Sequence, residues 1–167
     1  MKTRNIILTI SAGISLAFTA WAGTIDELDR KPPPMECTIW QGIDEISGPA
    51  SHFRAELLLK VMGDRGRLTI DAWNCPSGQV TKPEDCSGSY LHTRVYLAGP
   101  VENRQGHLKF TGTEVIDHEV VKGPEILEEL YCNDNLEGPV NGDIFMATHT
   151  DGCSPETKIE MKRRNCA

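Results

Sequence analysis

The sequence predicts an all-β fold, an eight-stranded antiparallel up-and-down barrel of the calycin-like kind. Three observations favour it: apolar and polar residues alternate along several segments, glycine-containing turns separate those segments, and six cysteines lie where such a barrel would bring them together. Closing the barrel also removes the two exposed edges that an open eight-stranded sheet would have. A two-sheet β-sandwich is the alternative.

The first three strands are predicted over residues 37–43, which include Trp40, and over 53–61 and 68–72, where every second residue is apolar. Residues 63–66 form the turn of the second of these connections. Pairing Val61 with Leu68 places the apolar residues of both strands on one face of the sheet.

Five further strands complete the predicted barrel. Residues 91–97 and 108–112 form a hairpin with a turn over 99–106 and Leu97 opposite Leu108, and residues 130–138, 144–148 and 159–161 follow. The segment 124–131 is ambiguous, because its apolar residues also fit one face of a short helix.

The N-terminal region predicts export. Residues 1–22 combine a positive start, an apolar segment and the small residues Ala20 and Ala22, as in a signal peptide cleaved before Gly23. The apolar segment is shorter than the ~20 residues of a membrane-spanning helix. A proline-rich lead-in covers 23–35 and a single barrel domain covers 36–167. We therefore expect a periplasmic or secreted protein of a bacterial envelope, with no membrane insertion after cleavage.

The six cysteines all follow the signal peptide, and an even number in an exported chain predicts three disulfides. The closed barrel brings the first and last strands together and places the other cysteines around two loops. Zinc is the competing interpretation, but the chain has no Cys-x-x-Cys pair, so no metal site is predicted. The predicted pairs are Cys37–Cys166, Cys75–Cys86 and Cys132–Cys153.

The charge of the chain is acidic and concentrated. Removing Lys2 and Arg4 from the formal net charge of −7 leaves −9, which argues against nucleic acid and favours a basic partner. The long connections 44–51, 76–89, 116–129 and 151–156 are expected at one end of the barrel, with the short turns 63–66, 99–105 and 139–141 at the other. The long connections hold eleven acids: Asp44, Glu45, Glu84, Asp85, Asp117, Glu119, Glu125, Glu128, Glu129, Asp151 and Glu156.

Catalytic and metal chemistry find little support in the sequence. His118 lies between two carboxylates and His149 is predicted in the same exposed rim, but adjacent residues on a strand point to opposite faces, which opposes a shared metal site. No serine lies in the strained turn of a nucleophile. We expect no enzyme activity and no cofactor.

Trp73 falls on the polar side of its strand, next to the predicted Cys75–Cys86 loop, and is either an exposed binding anchor or packed under a loop. In that loop, residues 82–86 resemble the Cys-Lys-Pro-His-Asp-Cys loop of bacterial periplasmic inhibitors of vertebrate lysozyme. Thr81 replaces the first cysteine and Glu84 the histidine, and the resemblance covers five residues, so no function is carried over from it.

The leading hypothesis is a non-enzymatic binding protein that uses its acidic loops to bind and block a basic protein, as an inhibitor or a toxin-immunity protein does. The alternatives are a carrier with a small apolar ligand inside the barrel and an envelope hydrolase with carboxylate chemistry at the barrel mouth. The residues expected to contact the partner are Trp73, Glu84, Asp85, Asp117, Glu119, Glu128 and Asp151.

Overall fold

The computed structural model describes residues 36–47, 52–75, 82–123 and 132–166. The predicted signal peptide, the lead-in, the ambiguous segment 124–131 and Glu128 lie outside these residues. In the described chain, no helix has the length and apolar character needed to cross a membrane. The described chain forms one 3-10 turn (Pro83–Asp85) and nine strands. The strands are β1 (Cys37–Ser47), β2 (His52–Met62), β3 (Arg65–Asn74), β4 (Leu91–Arg104), β5 (His107–Thr111), β6 (Glu114–Lys122), β7 (Asn135–Asn141), β8 (Ile144–Thr150) and β9 (Thr157–Asn165).

The strands form a closed antiparallel barrel, which confirms the predicted architecture over the alternative sandwich. Hydrogen-bonded neighbours follow the order β3-β2-β1-β9-β8-β7-β5-β4, and β4 pairs with β3 to close the ring. The first and last strands are neighbours, with Trp40 opposite Arg163. The calycin-like label stays a prediction.

A ninth strand, β6, was not predicted, because residues 116–122 were assigned to a loop. It pairs with the first part of β4, whereas the last part of β4 pairs with β5. Two irregularities interrupt the β4–β6 register, so the apolar residues of β6 do not alternate with period two. That interruption hid the strand from the sequence pattern.

Two glycines allow the close backbone contacts that are found where the chain bends between β5 and β6. A Cβ atom added to Gly99 would lie 1.8 Å from the carbonyl oxygen of Thr111, and one added to Gly112 would lie 2.6 Å from that of Asp134. Only glycine fits such an approach. At this bend β7 continues alongside β5, while β6 stays with β4.

All three tight turns are shorter than predicted, and the registers shift accordingly. Leu68 pairs with Leu59, not Val61, around a turn at residues 63–64. Leu108 pairs with Asn103, not Leu97, around Gln105 and Gly106, whose φ angles of 52° and 75° suit a tight hairpin turn. The third turn is at residues 142–143, and the predicted turn 139–141 belongs to β7. Because the first two shifts are even, the predicted inward faces remain correct.

The centre of the barrel is packed with apolar side chains. Trp40 contacts Phe145 edge to face, with ring centroids 5.8 Å apart, and Leu57, Leu59 and Phe110 are fully buried around them. Burying a side chain of this size contributes roughly 1.5–3 kcal/mol. Met146, in contrast, points outward and is exposed.

Two of the three predicted disulfides are present. Cys37–Cys166 joins the start of β1 to the end of β9, with Cα atoms 6.0 Å apart, and Cys132–Cys153 has a Cα separation of 6.1 Å. The third predicted pair is close but not bonded: the Cys75 and Cys86 thiols lie within hydrogen-bonding reach of one another. The third bond stays a prediction. The two bonds present fit an extracellular or periplasmic protein.

Candidate functional site

We call one end of the barrel the mouth. At this end β1 ends and β2 begins, β3 ends and β4 begins, and β8 ends and β9 begins. The strands on either side of the long connections end and begin there, because an antiparallel meander places alternate strand ends at the same end of the barrel. The opposite end carries the three two-residue turns. The mouth is therefore the elaborated end of the molecule.

A buried ionic cluster occupies the interior of the mouth. His149 on β8 lies between two carboxylates: its Nδ1 is 2.6 Å from Asp44 Oδ2 on β1, and its Nε2 is 2.5 Å from Asp134 Oδ1 before β7. The Thr157 hydroxyl donates a third hydrogen bond to Asp44 Oδ2, at 2.8 Å. The exposed fractions of Asp44, Asp134 and His149 are 3%, 4% and 5%. The cluster thus joins four neighbouring parts of the barrel wall.

The geometry holds His149 as an imidazolium. A neutral imidazole has only one N–H, whereas both ring nitrogens here face a carboxylate oxygen. Burial lowers the pKa of His149, but the hydrogen bonds and negative charges of Asp134 and Asp44 outweigh it and raise that pKa to about 9. With both nitrogens engaged, the ring is positioned to hold the wall together and not to accept a proton from a substrate.

This cluster corrects two sequence expectations. Asp44 was assigned to the acidic loops and His149 to the exposed rim, but both side chains point into the barrel. His149 continues the inward alternation of Phe145 and Ala147 along β8, which was the signal available in the sequence. The described residues include no group of histidine, cysteine or carboxylate side chains arranged to hold a metal ion.

A second polar cluster lies on the outer face of β3 and β4. His92 Nε2 is 2.6 Å from Asp71 Oδ1, and Arg94 bridges Asp71 at 3.2 Å and Glu119 at 3.3 Å. Trp73 packs edge to face on His92, with ring centroids 6.3 Å apart. Its exposed fraction is 2%. Of the two expectations for Trp73, the exposed anchor is wrong, because the indole ring is buried.

A cleft of about 590 Å³ opens at the mouth on the side of β2, β3 and β4. Phe53 and Leu91 supply apolar walls, Asn74 an amide, and Lys122 an ammonium group. The Lys122 Nζ atom stands 4.1 Å from the centre of the Tyr90 ring, a cation–π contact that orients it. The cleft also shows that residues 88–91 lie beside the end of β6.

Four of the predicted partner-binding residues are exposed carboxylates: Glu84, Asp85, Asp117 and Glu119. The first two belong to the 3-10 turn and the last two to β6. Burial raises the pKa of the Cys86 thiol, directly after the turn, and the positive charge of Lys122 at the end of β6 opposes that rise. We call these four residues the acidic face.

Asp151 is not part of this face. Its carboxylate accepts hydrogen bonds from the main-chain N–H groups of Cys153 at 2.8 Å and Ser154 at 2.7 Å, and from the Ser154 hydroxyl at 2.7 Å. Burial raises the pKa of Asp151, but these bonds outweigh it and lower that pKa. Asp151 therefore shapes its own turn and has little capacity left for a partner.

Arginines on the strands make the negative charge at the mouth smaller than the acids of the loops alone would give. Arg54 forms an ion pair with Glu45, and Arg94 pairs with Glu119 as well as Asp71. Lys82 lies 4.0 Å from Glu84. Exposed pairs of this kind contribute only about 0–1 kcal/mol each and are readily exchanged for a partner's cations.

A comparison with protein-family models finds no family that matches the chain, and no curated protein matches it.

Proposed function

We propose that this chain is an exported bacterial, non-enzymatic binding protein whose acidic face binds and blocks a basic protein, in the manner of an inhibitor or an immunity protein. One observation supports the proposal: Glu84, Asp85, Asp117 and Glu119 are all exposed carboxylates, two on the 3-10 turn and two on β6, whose last residue Lys122 lines the mouth cleft. A group of exposed carboxylates raises the local concentration of a cationic partner and orients its approach.

Rigidity of the acidic face supports this role. Asp117 and Glu119 lie in a strand paired with β4. The 3-10 turn is closed by hydrogen bonds from the Asp85 N–H to the Lys82 carbonyl and from the Cys86 N–H to the Pro83 carbonyl, both 3.1 Å. Carboxylates held in this way lose little conformational freedom on docking, so more of the interaction energy appears as affinity.

The enclosure of His149 and His92 by neighbouring side chains supports binding over catalysis. His149 is enclosed by Asp44 and Asp134, and His92 is buried against Asp71 and Trp73. A general base must reach the proton that it removes, and both rings are engaged inside packed clusters. The hydrolase hypothesis, with carboxylate chemistry at the mouth, stays the less supported alternative.

The test is affinity capture from an envelope extract of the producing bacterium on three immobilised proteins. They are the wild type; an acidic-face variant with Glu84→Gln, Asp85→Asn, Asp117→Asn and Glu119→Gln; and a control variant that removes the same charge elsewhere. The control carries Glu56→Gln, Asp64→Asn, Glu102→Gln and Glu160→Gln, all at exposed positions.

We expect a basic protein to bind the wild type and the control and to be lost from the acidic-face variant. With the captured protein purified, its association rate should fall tenfold or more in that variant, and the salt dependence of the rate should flatten. Capture of no basic protein, or equal capture by all three baits, would contradict the proposal.

A small-ligand carrier is the second candidate, and the mouth cleft is the observation that favours it. Its volume of about 590 Å³ falls in the ~300–1,000 Å³ range of small-molecule sites. Because the barrel centre is packed, an apolar ligand would lie against Phe53 and Leu91 at the mouth. Titration with an apolar fluorophore tests it: binding should saturate at one site and weaken in Leu91→Asp. Absence of saturable binding would reject the carrier.

A further inference from the structure

Cations line the outer surface of the barrel near the end opposite the mouth. Arg67 on β3 pairs with Lys60 on β2. Ile39 on β1 pairs with Lys60 on one side and with Arg164 on β9 on the other. These side chains point outward, because the residues at alternate positions along the same strands are buried in the barrel. Since neighbouring strands lie about 4.8 Å apart, the three cations fall within about 15 Å of one another.

Exposed apolar side chains lie beside this row, on the side toward the mouth. Leu58 pairs with Gln41, which pairs with a further cation, Lys162, and Ile43 and Met146 lie one row closer to the mouth. The exposed fractions of Leu58, Ile43 and Met146 are 38%, 42% and 44%. An exposed apolar group bordered by polar side chains is typical of a surface that binds a protein or a membrane. We call this surface the basic wall and define it by Lys60, Arg67, Lys162, Arg164, Leu58, Ile43 and Met146.

The basic wall is positively charged, although the formal net charge of the chain is −7. Two carboxylates, Glu56 and Glu160, lie beside its four cations, and Glu160 is 3.8 Å from Lys162. Neither Arg67 nor Lys60 forms an ion pair with another residue that the structure describes. These two cations lie directly opposite each other, an arrangement of like charges that destabilises a sheet. An anionic partner would remove that repulsion.

A groove of about 380 Å³ lies over β1 and β9 on the basic wall. Lys162 and Arg164 contribute cations to its lining, Gln41 an amide and Ile43 an apolar side chain. The Arg164 Nε atom donates to Gln41 Oε1 at 3.4 Å. Glu160, the remaining charged residue of the lining, is exposed together with its partner Lys162, and such a pair is readily exchanged for a stronger anion. The groove therefore combines groups that suit an anionic headgroup with an apolar part beside it.

We propose that the basic wall binds the surface of an anionic phospholipid bilayer, without inserting any segment across it. The cations are attracted to the lipid phosphates, and the apolar side chains beside them enter the headgroup layer. A hydrophilic polyanion would leave those apolar side chains unused, and the residues of the basic wall include no aromatic ring to stack on a sugar or base or to anchor a protein interface. The proposal does not depend on the acidic face, which belongs to the 3-10 turn and β6.

The test is co-sedimentation with vesicles of phosphatidylcholine alone and with mixed vesicles of phosphatidylcholine and phosphatidylglycerol in equal parts. The basic-wall variant carries Arg67→Gln, Lys162→Gln and Arg164→Gln. The matched control carries Lys82→Gln, Arg104→Gln and Lys109→Gln, which remove the same charge at exposed positions elsewhere. Each Lys or Arg near an anionic leaflet strengthens binding about fivefold, so the basic-wall variant should bind the mixed vesicles at least about tenfold more weakly than the wild type. The control should bind them as the wild type does.

Two further measurements separate a bilayer from a dissolved acidic partner. A variant with Ile43→Gln and Met146→Gln keeps the charge, so it should bind the mixed vesicles more weakly and dissolved poly-L-glutamate as the wild type does. Raising the salt concentration should release the wild type from the mixed vesicles, a result that does not depend on the folding of any variant. Equal binding of the wild type to both kinds of vesicle, or of the wild type and the basic-wall variant to mixed vesicles, overturns the proposal. Tighter binding of the wild type to poly-L-glutamate than to mixed vesicles also overturns it, because that assigns the basic wall to an acidic protein.

Discussion

His149 Nδ1 lies 2.6 Å from Asp44 Oδ2 in the barrel interior, although the two residues are 105 positions apart in the chain. Asp134 holds the other ring nitrogen. This arrangement places a positive charge between two negative ones at the point where β1, β8 and the start of β7 converge. Its consequences for stability can be measured directly.

The first prediction concerns pH. The pKa of His149 is raised from 6.5 to about 9 in the folded protein, so its stabilising contribution is fully present below about pH 6.5 and is lost as pH rises through about 9. From that difference, the free energy of unfolding should fall by roughly 3 kcal/mol across this window. Urea unfolding at several pH values measures it. His149→Gln is the control, and an equal pH dependence in that variant would assign the effect to other groups.

The second prediction concerns the carboxylates of the cluster. Asp44→Ala removes one partner and leaves the imidazolium and the Thr157 hydroxyl without it, and breaking a buried ion pair costs about 3–5 kcal/mol. We expect a stability loss of that order from chemical unfolding. Asp143→Ala, at an exposed position of the opposite end, should change stability by less than about 0.5 kcal/mol. Similar losses in both variants would contradict a structural role for the cluster.

The third prediction compares the two disulfides. Cys37–Cys166 spans 129 residues and Cys132–Cys153 spans 21, and loop-closure entropy makes the longer crosslink more stabilising, by about 5 against about 3 kcal/mol. Replacing both cysteines of a pair by serine should therefore lower Tm more for the first pair. Scanning calorimetry of the two double variants measures the difference, and the reverse order would show that native-state packing outweighs chain entropy.

The fourth prediction concerns the bend between β5 and β6. A Cβ atom at Gly99 would lie 1.8 Å from the Thr111 carbonyl oxygen, so Gly99→Ala must displace one strand and should cost about 3 kcal/mol or more. The matched control is Gly142→Ala. That glycine has a φ of 58° and no atom within 4 Å of an added Cβ, so only the backbone penalty of about 1 kcal/mol is expected. Equal stability of the two variants would refute the close approach.

Much of the architecture could be predicted because it rests on local pattern. Alternation along 53–61 and 91–97 identified two strands and their inward faces, and it survived register errors of two and six residues because even shifts keep the same face. The position of Cys37 and Cys166 at the two chain ends of the domain predicted closure independently, and that bond is present.

Features that depend on two distant segments could not be predicted from local pattern. Trp73 was placed on the polar side of its strand, and it does point outward, but it is buried against His92. β6 was missed because its two register irregularities interrupt the alternation. Asp44 had no local sign of burial, since its partners His149 and Thr157 lie on β8 and β9.

By itself, then, the sequence determined that the chain forms a closed barrel, which side chains of β2 to β5 face inward, and that the long connections share one end. These properties follow from strand periodicity, which each segment carries within itself. Only the tertiary structure decided the turn lengths, the ninth strand, and the burial of Asp44, Asp134 and His149. The reason is that charges and main-chain groups acquire their environment from residues remote in sequence, which no local pattern encodes.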